Sequence, residues 1–306
     1  MYAGSGNVAL ASAVAHQLGV ALEPTGVARF SDGETYVNVG HPRSIRGGTA
    51  IVIQSCMPSV NERLVEALLL IDAIRRHHPK RLIVIFPFFP YRRQQRQSEE
   101  GESVTSELVA RLLETAGATS ALLVEPHSMR LMEFFHIPVK SVTALDLFAE
   151  HWQRMKIVKP LVVAQDRGAV SRAQWVAAVL GSEIILLEKK RQSHDAVAGL
   201  TMNPAHAKRV VGATCLIVDD EINTGGTVVR AIEVLNAAGA KEIHVAATHA
   251  VLSGPAIERL SAASLASLVV TDSIGLSLEK RLPSMTVLSI APLIAAAVKD
   301  IVAGRH

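Results

Sequence analysis

Val218-Asp219-Asp220-Glu221-Ile222-Asn223-Thr224-Gly225-Gly226, followed by Thr227, is the stretch on which the fold turns. The apolar run from Cys215 to Val218 reads as a strand ending in two carboxylates. A short polar loop with paired glycines then opens a helical pattern at Val228, Ile232 and Leu235. Gly225 and Gly226 allow close backbone approach to an anion, and Thr224 and Thr227 add hydroxyl donors where the free N–H groups of a helix start attract negative charge. The loop is a phosphate cradle, but no Gly-Lys-Ser/Thr follows and no G-x-G-x-x-G is present, which excludes a P-loop and a dinucleotide fingerprint. Asp219 and Asp220 would repel a bare phosphate and suit sugar hydroxyls or a cation, so the combination points to a sugar phosphate.

Outward from this stretch the chain alternates strand and helix twice over. Strand candidates are Ala50–Gln54, Leu82–Phe89 and Ala121–Glu125, then Leu161–Ala164, Ile184–Leu187, Leu216–Asp219, Ile243–Ala247 and Leu268–Thr271. Helical patterns lie between them at 61–77, 103–116, 170–180 and 227–238. Near-continuous aliphatic strands separated by helices imply an α/β protein with two mainly parallel sheets, each covered on both faces. A length of 306 residues agrees with two domains of about 150 residues each. The boundary falls near Val139–Ala144, giving domains over 1–142 and 143–306, with the last helix a candidate to pack back on the first. In open sheets of this kind ligands gather at the carboxyl ends of the strands.

A hydrophobic content of 49% and a mean hydropathy of +0.28 fit buried sheets and exclude disorder. No apolar stretch reaches the roughly 18 residues of a membrane span. The amino terminus has no basic region ahead of its apolar residues, so a signal peptide is not expected and the cytoplasm is the expected compartment. The two cysteines, Cys56 and Cys215, have no metal spacing. A net charge of +3 with scattered Lys and Arg gives no argument for nucleic acid.

The decisive stretch resembles the signature loop of type I phosphoribosyltransferases and of ribose-phosphate pyrophosphokinases, the PRPP synthetases, in which two acids and two variable residues precede Asp-Thr-Gly-Gly-Thr. Asn223 stands in place of the third acid. Arg29-Phe30-Ser31-Asp32-Gly33-Glu34 is similar to a PRPP synthetase segment that reaches into a neighbouring subunit's ATP site, which implicates Phe30, Asp32 and Glu34 and implies a homo-oligomer, a dimer or a hexamer. Tyr91-Arg92-Arg93-Gln94-Gln95-Arg96-Gln97 resembles the family's Tyr-Ala-Arg-Gln-Asp-Arg-Lys, whose arginine and glutamine, here Arg93 and Gln94, contact ATP. Gln95 and Gln97 depart from that pattern. His127, in Glu125-Pro126-His127, matches the histidine of Asp-Leu-His, and Asp166, in Gln165-Asp166-Arg167-Gly168, matches the aspartate of Pro-Asp-Ala-Gly. In the family both positions serve metal binding, which implies Mg2+ carried with ATP. Lys189-Lys190-Arg191 is similar to a mobile Lys-Arg-Arg loop whose first and third residues close over the reacting phosphates.

The resemblance covers almost the whole chain and implies two phosphoribosyltransferase-like domains and transfer of pyrophosphate from ATP to the C1 hydroxyl of ribose 5-phosphate, giving PRPP and AMP. Asp219, Asp220, Asn223, Thr224, Gly225, Gly226 and Thr227 would then bind ribose 5-phosphate, and Lys189 and Arg191 would be catalytic. Two alternatives stand beside it: a catalytically silent regulatory subunit, motivated by the departures Gln95, Glu125, Arg167 and Asn223, and a phosphoribosyltransferase that consumes PRPP. The segments around Ser31-Asp32-Gly33-Glu34 and Arg93-Gln94 disfavour the latter. Positive charge that acts on a transferring phosphoryl group is felt in the transition state. Lys189→Ala and Arg191→Ala should therefore each lower turnover at least ~100-fold with substrate KM values moved far less. Steady-state kinetics checks this, and parental rates in both variants would reduce the loop to a solvated surface.

Overall fold

The computed structural model describes residues 1–40, 45–190 and 199–305. It divides into two compact units, one from the described residues of Met1–Thr143, Asp272–Gly275 and Ser289–His306, the other from Ala144–Thr271 and Leu276–Leu288. The first unit is thus discontinuous in sequence, taking in 272–275 and the last helix from the stretch 143–306, whose last helix the sequence offers as a candidate to pack on the first domain.

The first unit begins with β1 (Tyr2–Ala3) and α1 (Val8–Leu18), then a hairpin of β2 (Gly26–Arg29) and β3 (Thr35–Asn38). There follow β4 (Thr49–Ile53), α2 (Val60–Arg75), β5 (Arg81–Phe86), α3 (Thr105–Ala116), β6 (Ser120–Val124), α4 (Arg130–Glu133) and β7 (Val139–Val142). Its five-stranded sheet runs β1-β4-β5-β6-β7, all parallel. The central strands are buried over nearly their whole length, because parallel strands with helices on both faces have no wet side. The expected strand over Leu82–Phe89 stops at Phe86, where Pro87 removes a ladder donor. Phe86 and Phe89 pack edge to face at 5.4 Å, so the residues past the strand still serve the core.

The second unit comprises α5 (Leu145–Arg154), β8 (Leu161–Ala164), α6 (Val170–Leu180), β9 (Glu183–Lys190), β10 (Gly199–Met202), α7 (Pro204–Val210), β11 (Thr214–Ile222), α8 (Gly226–Ala237), β12 (Glu242–Ala250), α9 (Ala256–Ala262), β13 (Ser267–Thr271) and β14 (Met285–Leu288). Its seven strands are ordered β10-β9-β8-β11-β12-β13-β14, parallel except for the antiparallel pair β9 and β10. The α/β class with two mainly parallel sheets is the one expected from the strand and helix patterning. Strand β11, central in this order, continues four residues beyond Val218 to Ile222, because β12 is equally long and pairs with it through Asp219↔Ala247, Glu221↔His249 and Ile222↔Ala250. The carboxylates belong to the strand itself, not to the loop after it.

The last helix, α10 (Ala291–Val302), belongs to the first unit. Its apolar face buries Ile294, Val298 and Ile301, and it packs beside α1. Asn7 Nδ2 donates to the Asp272 carbonyl at 2.7 Å, Ser55 Oγ to the Ser273 carbonyl at 2.7 Å, and the Ile290 N–H to Asp272 Oδ1 at 2.8 Å. Lys140 Nζ meets Asp300 Oδ2 at 2.9 Å. These bonds make the returning segments part of the first unit.

Candidate functional site

In the second unit the parallel strands all point their carboxyl ends the same way, and the chemistry collects at the ends of β8 and β11. Asp219 Oδ1 accepts from Arg172 Nη2 at 3.0 Å and from the Asp220 N–H at 2.9 Å, while Asp219 Oδ2 accepts from Gln165 Nε2 at 3.0 Å. The same Arg172 nitrogen lies 3.2 Å from Asp220 Oδ1. One guanidinium thus bridges the pair from the first turn of α6. Burial pushes the Asp219 carboxyl up to about 7; the adjacent Asp220 charge adds to the rise and Arg172 opposes it.

After β11 the backbone turns sharply. The Leu252 N–H donates to the Ile222 carbonyl at 3.0 Å and the Ser253 N–H to the Asn223 carbonyl at 2.9 Å, so the segment after β12 staples the loop. The Ser253 hydroxyl also donates to Asn223 Oδ1. Gly225 sits at φ +74, a left-handed conformation costly to a residue with a Cβ, and caps α8 without any side-chain partner. The first N–H groups of α8, from Gly226 and Thr227 onward, are therefore not consumed by a side-chain cap. Arg259 Nη1 donates to the Thr224 carbonyl at 3.1 Å. Arg230 Nη1 and Arg259 Nη1 both lie within ordinary contact of where a Cβ would stand on Gly226. A loop with amide donors and guanidinium groups around it, one turn beyond a carboxylate pair, can hold an anion and hydroxyls at once.

Asp166 follows β8, half-buried, and its Oδ1 accepts the Ala169 N–H at 3.1 Å as a helix cap. Arg167 beside it is exposed. Lys189 lies in β9 with its backbone opposite Leu200, and Arg191 lies outside the described residues.

In the first unit Phe30, Asp32 and Glu34 occupy the exposed turn of the β2–β3 hairpin. The Glu34 N–H donates to Asp32 Oδ1 at 3.0 Å, and the Phe30 ring, 54% exposed, packs edge to face on Tyr36. A ring so exposed at a hairpin tip is a surface feature and not core. Beyond β5, Arg93 is exposed, and Gln94 Oε1 accepts the Thr105 hydroxyl at 2.6 Å. Its neighbour Arg92 is buried, donating to the Glu125 carbonyl at 3.1 Å with its guanidinium over Phe88. Gln95 is also buried; its Nε2 donates to the Arg92 carbonyl at 2.6 Å and its Oε1 accepts from Ser128. An aspartate there could not make the first bond, which gives the departure at Gln95 a local reason. Glu125, at φ +42, accepts from Thr143 at 2.6 Å. His127 is exposed just after β6. Among the described residues no group of three or more His, Cys, Asp or Glu is arranged to hold a metal.

Gln165, Arg172, Ser253 and Arg259 escape the sequence reading. Arg172 carries the one usable signal, as the sole charge in the otherwise neutral helix Val170–Leu180. Ser253 and Arg259 approach the loop only through the fold.

Comparison with known proteins gives a consistent picture. Residues 1–117 match the family described as N-terminal domain of ribose phosphate pyrophosphokinase, and residues 144–275 match the phosphoribosyl transferase domain. A ribose-phosphate pyrophosphokinase of Bacillus caldolyticus is 37% identical over 298 residues, covering 97% of this chain and 93% of the relative. Its counterpart in Halalkalibacterium halodurans is 39% identical over 292 residues, 95% of this chain and 90% of the relative. The crystal structure of phosphoribosylpyrophosphate synthetase from Mycobacterium smegmatis superposes with a TM-score of 0.90 at 35% identity, covering 99% of this chain and 98% of that one.

The raised Asp219 pKa has a consequence for stability. Its folded pKa, about 7, exceeds the unfolded value, so the folded state binds more protons between the two, and the group's contribution to stability falls as pH rises through that window. Asp219→Asn removes the buried charge and should be more stable than the parent by on the order of 1–3 kcal/mol near pH 8, with the gain shrinking toward zero near pH 4. Denaturant unfolding at both pH values checks it; a variant less stable at each would show that the Arg172 ion pair outweighs the cost of burial.

Proposed function

This chain belongs to the ribose-phosphate pyrophosphokinase family, and on that premise we propose that it transfers pyrophosphate from ATP to ribose 5-phosphate, giving PRPP and AMP. The observation that carries this reading is the β11–α8 corner: two carboxylates at a strand end, then a left-handed Gly225 opening a helix whose first amides have no side-chain cap. The 5-phosphate sits against Thr224, Gly225, Gly226 and Thr227, and the ribose hydroxyls donate to Asp219 and Asp220. The anomeric oxygen attacks the β-phosphorus of ATP, the bond to the α-phosphate oxygen breaks, AMP leaves with that oxygen, and the hydroxyl proton is lost. Arg93 and Gln94 orient ATP, and Lys189 and Arg191 stabilise the charge on the transferring group. Phe30, Asp32 and Glu34, on an exposed hairpin, act on a second copy of the chain in a homo-oligomer.

Mg2+ fits the donor chemistry available. The Asp166 carboxylate is a hard oxygen donor at a strand end, the donor class that Mg2+ takes, one or two at a time, when it keeps several waters and travels with phosphates. Asp166 would hold it, with His127 at the other matching position. When bound, the cation neutralises phosphate charge. No described helix is long and apolar enough to cross a membrane. The cytoplasm is the compartment proposed, where the substrates of this reaction are made and used.

Incubation with ATP, Mg2+ and ribose 5-phosphate should yield equimolar AMP and PRPP. AMP formation absent at all Mg2+ concentrations from a folded protein would favour the silent-subunit alternative. Asp166→Asn should raise the Mg2+ concentration for half-maximal rate about tenfold or more, since losing even an outer-shell partner of a metal ligand costs on that order, and leave ribose 5-phosphate binding nearly intact. An unchanged Mg2+ titration would remove Asp166 from the site. Asn223→Asp keeps an acceptor for the Ser253 hydroxyl and restores a charged acceptor. It should increase turnover without tightening ribose 5-phosphate binding, because added negative charge near the phosphate opposes ground-state affinity. A fall in turnover would show that the loop is tuned to the amide.

A further inference from the structure

We propose, resting on the ribose 5-phosphate reading of the β11–α8 corner, that Arg172 and Gln165 are positioning residues: together they clamp Asp219 and so fix the direction from which its carboxylate meets a sugar hydroxyl. The clamp follows from strand register. β8 pairs with β11 through Leu161↔Cys215 and Val163↔Ile217, so two residues further on Gln165 comes beside Asp219. Its side chain is 1% exposed and its Nε2 donates to Asp219 Oδ2 at 3.0 Å. From the other side Arg172 Nη2 holds Asp219 Oδ1 at 3.0 Å and Asp220 Oδ1 at 3.2 Å, and the Asp220 N–H fills Asp219 Oδ1 at 2.9 Å. An ionised carboxylate offers about four lone-pair directions, and these bonds hold three of those on Asp219, with the Asp220 carboxyl also within hydrogen-bonding reach.

Neutralising the carboxylate charge would need only Arg172. Gln165 adds no charge; its amide fixes the rotation of the Asp219 carboxyl and hence the directions of its lone pairs. The residue also departs from the family's Pro-Asp-Ala-Gly, because a proline in place of Gln165 has no side-chain donor. Gln165 Oε1 and Arg172 Nε are both buried with no partner among the described residues. Unsatisfied buried atoms are rare in folded proteins and call for an account beyond packing. Here they flank the same carboxylate, as expected of side chains placed for the sake of Asp219 instead of their own hydrogen bonding.

The test compares Arg172→Lys, Gln165→Leu and Gln165→Glu with the parent, by steady-state kinetics in both substrates and by calorimetric binding of ribose 5-phosphate. An ammonium is a point donor that does not reproduce the planar guanidinium, so Arg172→Lys should lower kcat at least ~10-fold and raise KM for ribose 5-phosphate. Gln165→Leu should raise that KM roughly 3- to 10-fold, and Gln165→Glu, which sets a carboxylate against Asp219, more than that. KM for ATP should stay within about twofold in all three, and thermal unfolding of Gln165→Leu should match the parent. A purely structural network would lower stability and leave the kinetic constants of the folded fraction unchanged, which overturns the proposal. Should Arg172→Lys fail to fold, the two Gln165 variants decide. A parent that binds ribose 5-phosphate but makes no AMP, with binding weakened in the variants, overturns the synthetase reading and keeps the clamp. Parental binding and turnover in the variants overturn the clamp alone, and a parent that neither binds nor turns over overturns both.

Discussion

Strand β11 lies between β8 and β12 in the seven-stranded sheet, and its pairing with both neighbours buries its backbone and sets where its last side chains project. Because β12 extends as far as β11, the ladder continues through Asp219 and Glu221 and holds acidic residues at a protein edge where water is partly excluded. Charge placed this way is costly unless it is paired. Arg172 and Gln165 answer to that placement.

Two opposed effects meet at the carboxylate pair. Two adjacent carboxylates disfavour each other's ionisation, burial disfavours it further, and one guanidinium opposes both. A carboxyl whose pKa is raised to about 7 gives up part of its charge near neutral pH, which lessens the cost of its burial. The opposite polarity, amides and guanidinium groups, begins only a few residues later at Thr224 to Thr227.

The departures from the family pattern are not alike in physical terms. Gln95 is buried and uses both ends of its amide, donating to the Arg92 carbonyl and accepting from Ser128, so it has become part of the structure around it. Glu125 likewise adopts a strained backbone and bonds Thr143. Asn223 retains an acceptor role toward Ser253. Arg167 is exposed beside Asp166, and nothing in the structure explains it.

The aliphatic runs and their helical spacers determined, by themselves, that the chain is an α/β protein with two mainly parallel sheets, since buried parallel strands must be apolar on both faces. They also determined the turn from β11 into α8, since the left-handed conformation at Gly225 is one that glycine adopts without cost. The partners of Asp219 were decided by tertiary structure. Gln165 and Arg172 are separated from it by 54 and 47 residues and meet it only because β8 and β11 are neighbours in the sheet although β9 and β10 intervene in the chain. The same holds for Asp272 and the α10 segment, which join the first unit through bonds to Asn7 and Ser55 spanning 265 and 218 residues. Periodicity records which residues are buried along one strand; strand order and register decide which distant side chains share that burial.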